Sequence, residues 1–129
     1  MKLKYLFYLE VLIAGSSSIM AMAAPAFFVE QMDVIGLSST ALIFIQWYGV
    51  LLFAFTLIMA LTLFFKSYES VKIVFPAYAI GDVLHIAVTF LLAKELGLWN
   101  FAAYFGIGFT LMLLLGRLLV LHKNERLGF

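Results

Sequence analysis

Tyr78, Asp82, His85 and Thr89 fall at i, i+4, i+7 and i+11 in a run that is otherwise apolar. On an α-helix that spacing places them on one face. A carboxyl and an imidazole are costly to hold in hydrocarbon, so such residues in a membrane span face protein or water and mark a candidate site. The chemistry they offer together is proton transfer. An imidazole beside a carboxyl is kept charged or fixed in one tautomer, and the pair can shuttle a proton or hold the polar head of an apolar ligand. Asp82 and His85 are therefore the candidate catalytic pair, with Tyr78, Gln46, Tyr48, Thr89 and Ser17 as candidate ligand-binding residues. This reading requires a cavity on the order of 300 Å3 or more that reaches Asp82. The alternative is structural: Asp82 and His85 satisfy each other, or a neighbouring serine, and fix helix register.

Glu10 and Arg117 form a second candidate pair. Glu10 lies about a turn and a half into the first apolar stretch and Arg117 about one turn from the end of the last, so they share a level. They read as a structural ion pair, with Arg117 extending its apolar stem toward the membrane boundary and Lys4 as the other partner open to Glu10. No metal site is expected. The histidines are His85 and His122, at different depths, and there is no cysteine, which argues against two-histidine ligation of one centre within the chain. A single axial contact from His85 to a pigment stays open, and the sequence identifies no cofactor.

The elements that position these residues follow from composition. Of 129 residues, 66% are hydrophobic and 12% charged, whereas a soluble domain is about half apolar and a quarter charged. The chain reads as an all-α integral membrane protein of one domain, residues 1–129, with room for four spans of about 20 residues. The expected spans are about 5–24, 39–65, 73–93 and 101–121. Lys2, Lys4, an apolar run and Ala21-Met22-Ala23 resemble a secretory signal with its cleavage site, but Glu10 inside the apolar region favours a retained first span. Ser16, Ser17 and Ser18 can bond back to the preceding turn. Residues 25–38 mix Pro25, Glu30, Gln31, Asp33 and Gly36 with large apolar side chains. They are too short and polar to span and read as an interfacial loop or short amphipathic helix. Ser38 or Ser39 is placed to cap the second span. Pro76 is expected in the first turn of the third span. The fold expected is a four-transmembrane-helix bundle with a short interfacial helix after the first span.

Four spans put both termini and the second-to-third turn on one side. That side collects Lys2, Lys4, Lys66, Lys72, Arg117, Lys123 and Arg126, and the other has Lys94. By the positive-inside bias both termini are expected on the cytoplasmic, or organelle-equivalent, side. Formal net charge is +1, which speaks against nucleic acid as a partner. Ala102, Gly106 and Thr110 repeat at i+4, as do Ala77, Gly81 and His85. Such stripes let helices approach closely, either the third span on the fourth or two copies in a homodimer.

Pro25 with its interfacial stretch, the long second span, Gly81-Asp82-Val83-Leu84-His85, and Gly116-Arg117-Leu118 ending the fourth span resemble small four-span membrane proteins. The GD-x-x-H element is similar to one in a fungal domain-of-unknown-function group, and the overall plan resembles the DoxX-like proteins. An arginine in the third span of the DoxX-like plan has no counterpart here. The resemblance implies a four-helix bundle and no particular reaction. Three functions are carried forward: a binder of a small apolar ligand or membrane lipid, with or without proton transfer; an accessory subunit of a larger membrane complex; and a proton or ion path through Glu10, Asp82, His85 and Arg117.

Overall fold

The computed structural model describes residues 3–65 and 67–123. Five helices follow in order: α1 (Lys4–Ala23), α2 (Pro25–Glu30), α3 (Ser39–Phe65), α4 (Tyr68–Leu96) and α5 (Phe101–Lys123). All but α2 are long and apolar enough to cross a membrane, and no strand occurs among the described residues. The chain is an all-α, multi-pass integral membrane protein. The 27 residues of α3 extend about 40 Å, more than a bilayer's hydrocarbon core, so α3 crosses with tilt.

Helix boundaries follow local chemistry. Pro25 opens α2 in the first turn, where its missing N–H is no loss. Asp33 and Gly36 take positive φ in the connection to α3. Ser38 caps α3 by accepting from the Ala41 amide at 3.2 Å. Ser67 caps α4, accepting from the Ser70 amide at 3.4 Å, with Glu69 in the first turn favouring the positive helix end. This cap starts α4 before the expected position 73, so Pro76 lies inside the helix rather than in its first turn. Gly97, in the left-handed region at φ 66°, ends α4.

The four spans associate as two pairs. α1 packs along α3 and α4 along α5, with sparser contact between the pairs. Close approach of α1 and α3 rests on a residue with no side chain: a Cβ at Gly49 would lie 2.9 Å from Met22 Cγ and 3.0 Å from the Met22 amide nitrogen. The two glycines of the expected small-residue stripes do not make the α4–α5 contact close. Gly81 and Gly106 face open space, and the buried small residues of that pair are Ala79, Ala93, Ala103 and Thr110, with Gly116 facing α1.

Two apolar clusters close the ends. At the end where α1 begins and α5 finishes, Leu6, Phe7, Met59, Leu63, Phe75 and Val120 join all four spans, with the Phe7 and Phe75 rings 4.8 Å apart. At the opposite end, Ala21, Phe28 and Val29 pack with Leu42 and Ile45. There Asn100 Nδ2 donates to the Met32 carbonyl at 3.0 Å and to Asp33 Oδ2 at 2.8 Å. This ties the turn before α5 to the connection after α2.

Gly49→Ala should therefore lower stability by about 1–3 kcal/mol through overpacking. Gly81→Ala, with nothing to clash against, should be neutral or stabilise by up to about 1 kcal/mol. Thermal unfolding of the two variants in one detergent checks the contrast.

Candidate functional site: a guanidinium between two carboxylates

Arg117 is fully buried, 0% exposed, and its guanidinium holds two acids. Nη1 donates to Asp82 Oδ2 and Nη2 donates to Glu10 Oε1. The cluster thus joins α1, α4 and α5. The side chains of Glu10 and Asp82 are themselves nearly buried, 13% and 11% exposed. The Phe7 and Tyr78 rings lie 5.8 and 5.2 Å from the guanidinium carbon, and their faces favour a cation there. Tyr78 also donates its hydroxyl proton to the Phe55 carbonyl, which brings α3 into contact with the same centre.

Asp82 and Glu10 differ in position along their helices. Asp82 lies about 21 Å along α4 from Tyr68, and Glu10 about 9 Å along α1 from Lys4. They meet because helical side chains lean toward their own N-terminus. α5 runs toward the end where α1 begins, so Arg117 leans back into the middle of the bundle. α4 starts at that end, so Asp82 leans toward it.

The charge does not balance with all three groups ionised: two carboxylates and one guanidinium leave one net negative charge. A single proton makes the cluster neutral. The hydrogen bonding is also incomplete, since Glu10 Oε2 and Arg117 Nε are buried without a hydrogen-bond partner among the described residues. A carboxylate meeting a guanidinium along its Nε edge accepts from Nη2 and Nε together. Glu10 makes the first of these bonds and not the second. An unpaired acceptor and an unpaired donor therefore remain in the cluster.

The chain matches no protein-family model, no curated protein and no solved structure.

Several site residues sit differently from the sequence expectation. Asp82 pairs with Arg117 and not with His85. His85 lies about 60° around the helix from Asp82, is exposed at the rim of the inward stripe, and makes no hydrogen bond among the described residues. Arg117 does not extend toward the membrane boundary, so it leaves the topology count: Lys2, Lys4, Lys66, Lys72, Lys123 and Arg126 remain against Lys94, with Lys2, Lys66 and Arg126 outside the described residues. The Glu10–Arg117 ion pair is present, with Asp82 as the third member. Gln46 donates to the Met22 carbonyl at 3.1 Å, satisfying an acceptor that the end of α1 frees. Tyr48 is exposed, its ring 6.2 Å from Phe28. Ser17 and Thr89 are half-buried. Ser16 and Ser18 bond back to the carbonyls of Leu12 and Gly15, each at 2.7 Å.

Two surface grooves of the bundle lie away from Asp82, where the cavity is expected. One, of about 470 Å3, is lined by Tyr8, Val11, Ala60, Leu63 and Phe64. The other, of about 310 Å3, lies between the end of α3 and the start of α4, lined by Thr62, Phe65, Ser70 and Ile73 among others. Neither is lined by Glu10, Asp82, His85 or Arg117. Among the described residues no group of three His, Asp or Glu side chains could hold a metal ion.

Removing Arg117 alone strands two buried acids. Arg117→Met should lower stability by about 3–5 kcal/mol, whereas the combined Glu10→Leu, Asp82→Leu and Arg117→Met change should recover most of that loss. Reversible unfolding in mixed micelles measures both.

Proposed function

We propose that this membrane protein takes up and releases a proton at the Glu10–Arg117–Asp82 cluster, and that the same cluster receives the polar end of a small apolar ligand or lipid. One observation carries the reading: two carboxylates share one fully buried guanidinium. In an apolar surrounding a net charge is costly, so the cluster is poised between a neutral, singly protonated form and an ionised form that a polar ligand or water must compensate. Glu10 Oε2 and Arg117 Nε supply an acceptor and a donor for that group, the complement of a hydroxyl. Glu10 is the better proton carrier of the two acids: each has one oxygen free of the guanidinium, but that of Glu10, Oε2, is buried without a hydrogen-bond partner among the described residues, which disfavours the charged form. With both termini cytoplasmic, as the lysine distribution implies, the cluster lies closer to the cytoplasmic end of α1 and α5.

Infrared spectroscopy of the reconstituted protein tests this. A protonated-carboxyl stretching band should change with pH, and Glu10→Gln should remove it while helix content stays unchanged. A wild-type spectrum with no such band at any pH would overturn the reading.

A second reading, a homodimer or a subunit of a larger membrane complex, is favoured by the exposed Ala77, Gly81 and His85. Here a small-residue stripe with open space above Gly81 adjoins an imidazole without a hydrogen-bond partner among the described residues. Cysteines placed at Ala77 and Gly81, in a chain with none of its own, should cross-link in native membranes if copies meet there. Monomers alone after oxidation would remove the homodimer.

A further inference from the structure

We infer that the proton state of Glu10 controls a hinge between the two helix pairs, so that protonation opens the half of the bundle beyond the charged cluster. The inference rests on the proton-exchange reading and adds how the buried site is reached. Among the described residues, contact between the α1–α3 pair and the α4–α5 pair is sparse. At the end where α1 begins, the apolar cluster with Phe7 against Phe75 closes the bundle. Next to Arg117, α5 comes so close to α1 that a Cβ on Gly116 would lie 3.0 Å from Leu6 Cδ2 and 3.4 Å from Phe7 Cζ. That contact is apolar, tight and indifferent to protons, and it supplies the hinge. In the middle, the polar ties are Glu10 to Arg117 and Tyr78 to the Phe55 carbonyl. At the far end the tie is Asn100 to Met32 and Asp33.

The Glu10–Arg117 bond is the one among these whose strength follows the charge of a buried acid. A charge-assisted bond is roughly twice as strong as a neutral one. When Glu10 takes a proton it keeps at most a neutral bond to Nη2, while Asp82 stays paired with Arg117 inside the α4–α5 pair. The guanidinium then goes with α4 and α5, steadied by Tyr78, and α1 is released. The sign is fixed: ionised Glu10 at higher pH holds the pairs together, and protonated Glu10 at lower pH lets them part. The groups facing Glu10 across the helix interfaces are Arg117 from α5 and Asp82 and Tyr78 from α4. α3 contributes none, since Ser39–Phe65 contains no Asp, Glu, Lys, Arg or His and its one tyrosine, Tyr48, lies by Phe28 at the opposite end. On α1 itself Lys4, Tyr5 and Tyr8 lie toward the hinge end. Opening on this side gives a polar ligand or water a way to Glu10 Oε2 and Arg117 Nε, which the two surface grooves do not offer.

The test is distance measurement between spin labels on exposed positions of the full chain in lipid nanodiscs. One pair, at Ile19 of α1 and Val88 of α4, spans the half beyond the cluster, and another, at Tyr5 and Ile73, spans the hinge end. On acidification the Ile19–Val88 distance should lengthen by several ångströms while the Tyr5–Ile73 distance holds. Glu10→Gln, a neutral stand-in, should show the long Ile19–Val88 distance at neutral pH and lose its pH response. Equal distances in wild type and Glu10→Gln, with both folded by circular dichroism, would overturn the hinge even if the infrared band still titrates. A pH response that survives in Glu10→Gln would overturn it too.

Discussion

A guanidinium with no solvent exposure is the constraint on which the bundle depends. Arginine stays charged under any condition a protein meets, so burying one in an apolar bundle obliges the fold to bring counter-charge to it. Two acids on two other helices do so, and two aromatic rings complete the enclosure. A residue at the end of α5 thereby dictates which faces α1 and α4 turn inward. It also fixes their register, since Asp82 and Glu10 must reach the same planar group. Tyr78 extends this control to α3 through the Phe55 carbonyl.

The two helix pairs use different physics. Within α1–α3 the backbones approach over Gly49, and dispersion between closely packed helices is the main attraction available where lipid is as apolar as the side chains. Between the pairs, attraction is concentrated at the terminal apolar cluster, the charged centre and the Asn100 bonds. Contacts of the first kind are stiff and insensitive to solution conditions. A charged contact in low dielectric is strong but conditional, because one proton removes much of it. Here the conditional contact lies between two stiff units.

Much of this was legible in the residues, and what was not has a specific cause. Spacing placed Tyr78, Asp82 and Thr89 on one side of a helix, and shared level paired Glu10 with Arg117. Treating each residue as a point at its Cα level kept Asp82 apart from Arg117. The lean of side chains toward the helix N-terminus, opposite in α4 and α5, closes that gap and could have been applied to the sequence. His85 was included by its i+3 spacing from Asp82, yet a three-residue step turns far enough to leave it on the rim. The small-residue stripes were a weaker guide, because glycine permits close approach without choosing the partner: Gly49 found α1, whereas Gly81 and Gly106 found none.

The sequence by itself determined the class, the four spans and the short helix at Pro25. Apolar length and composition force a backbone in lipid to satisfy its own hydrogen bonds within helices, and Ser38 and Gly97 are local stops and starts that act without tertiary help. The tertiary structure decided which polar residues share a site. That choice depends on helix rotation and side-chain reach, set jointly by the Phe7–Phe75 contact and by the requirement that Arg117 meet two acids at once. No single helix contains that information, since a buried charge is satisfied only by groups that come from other helices.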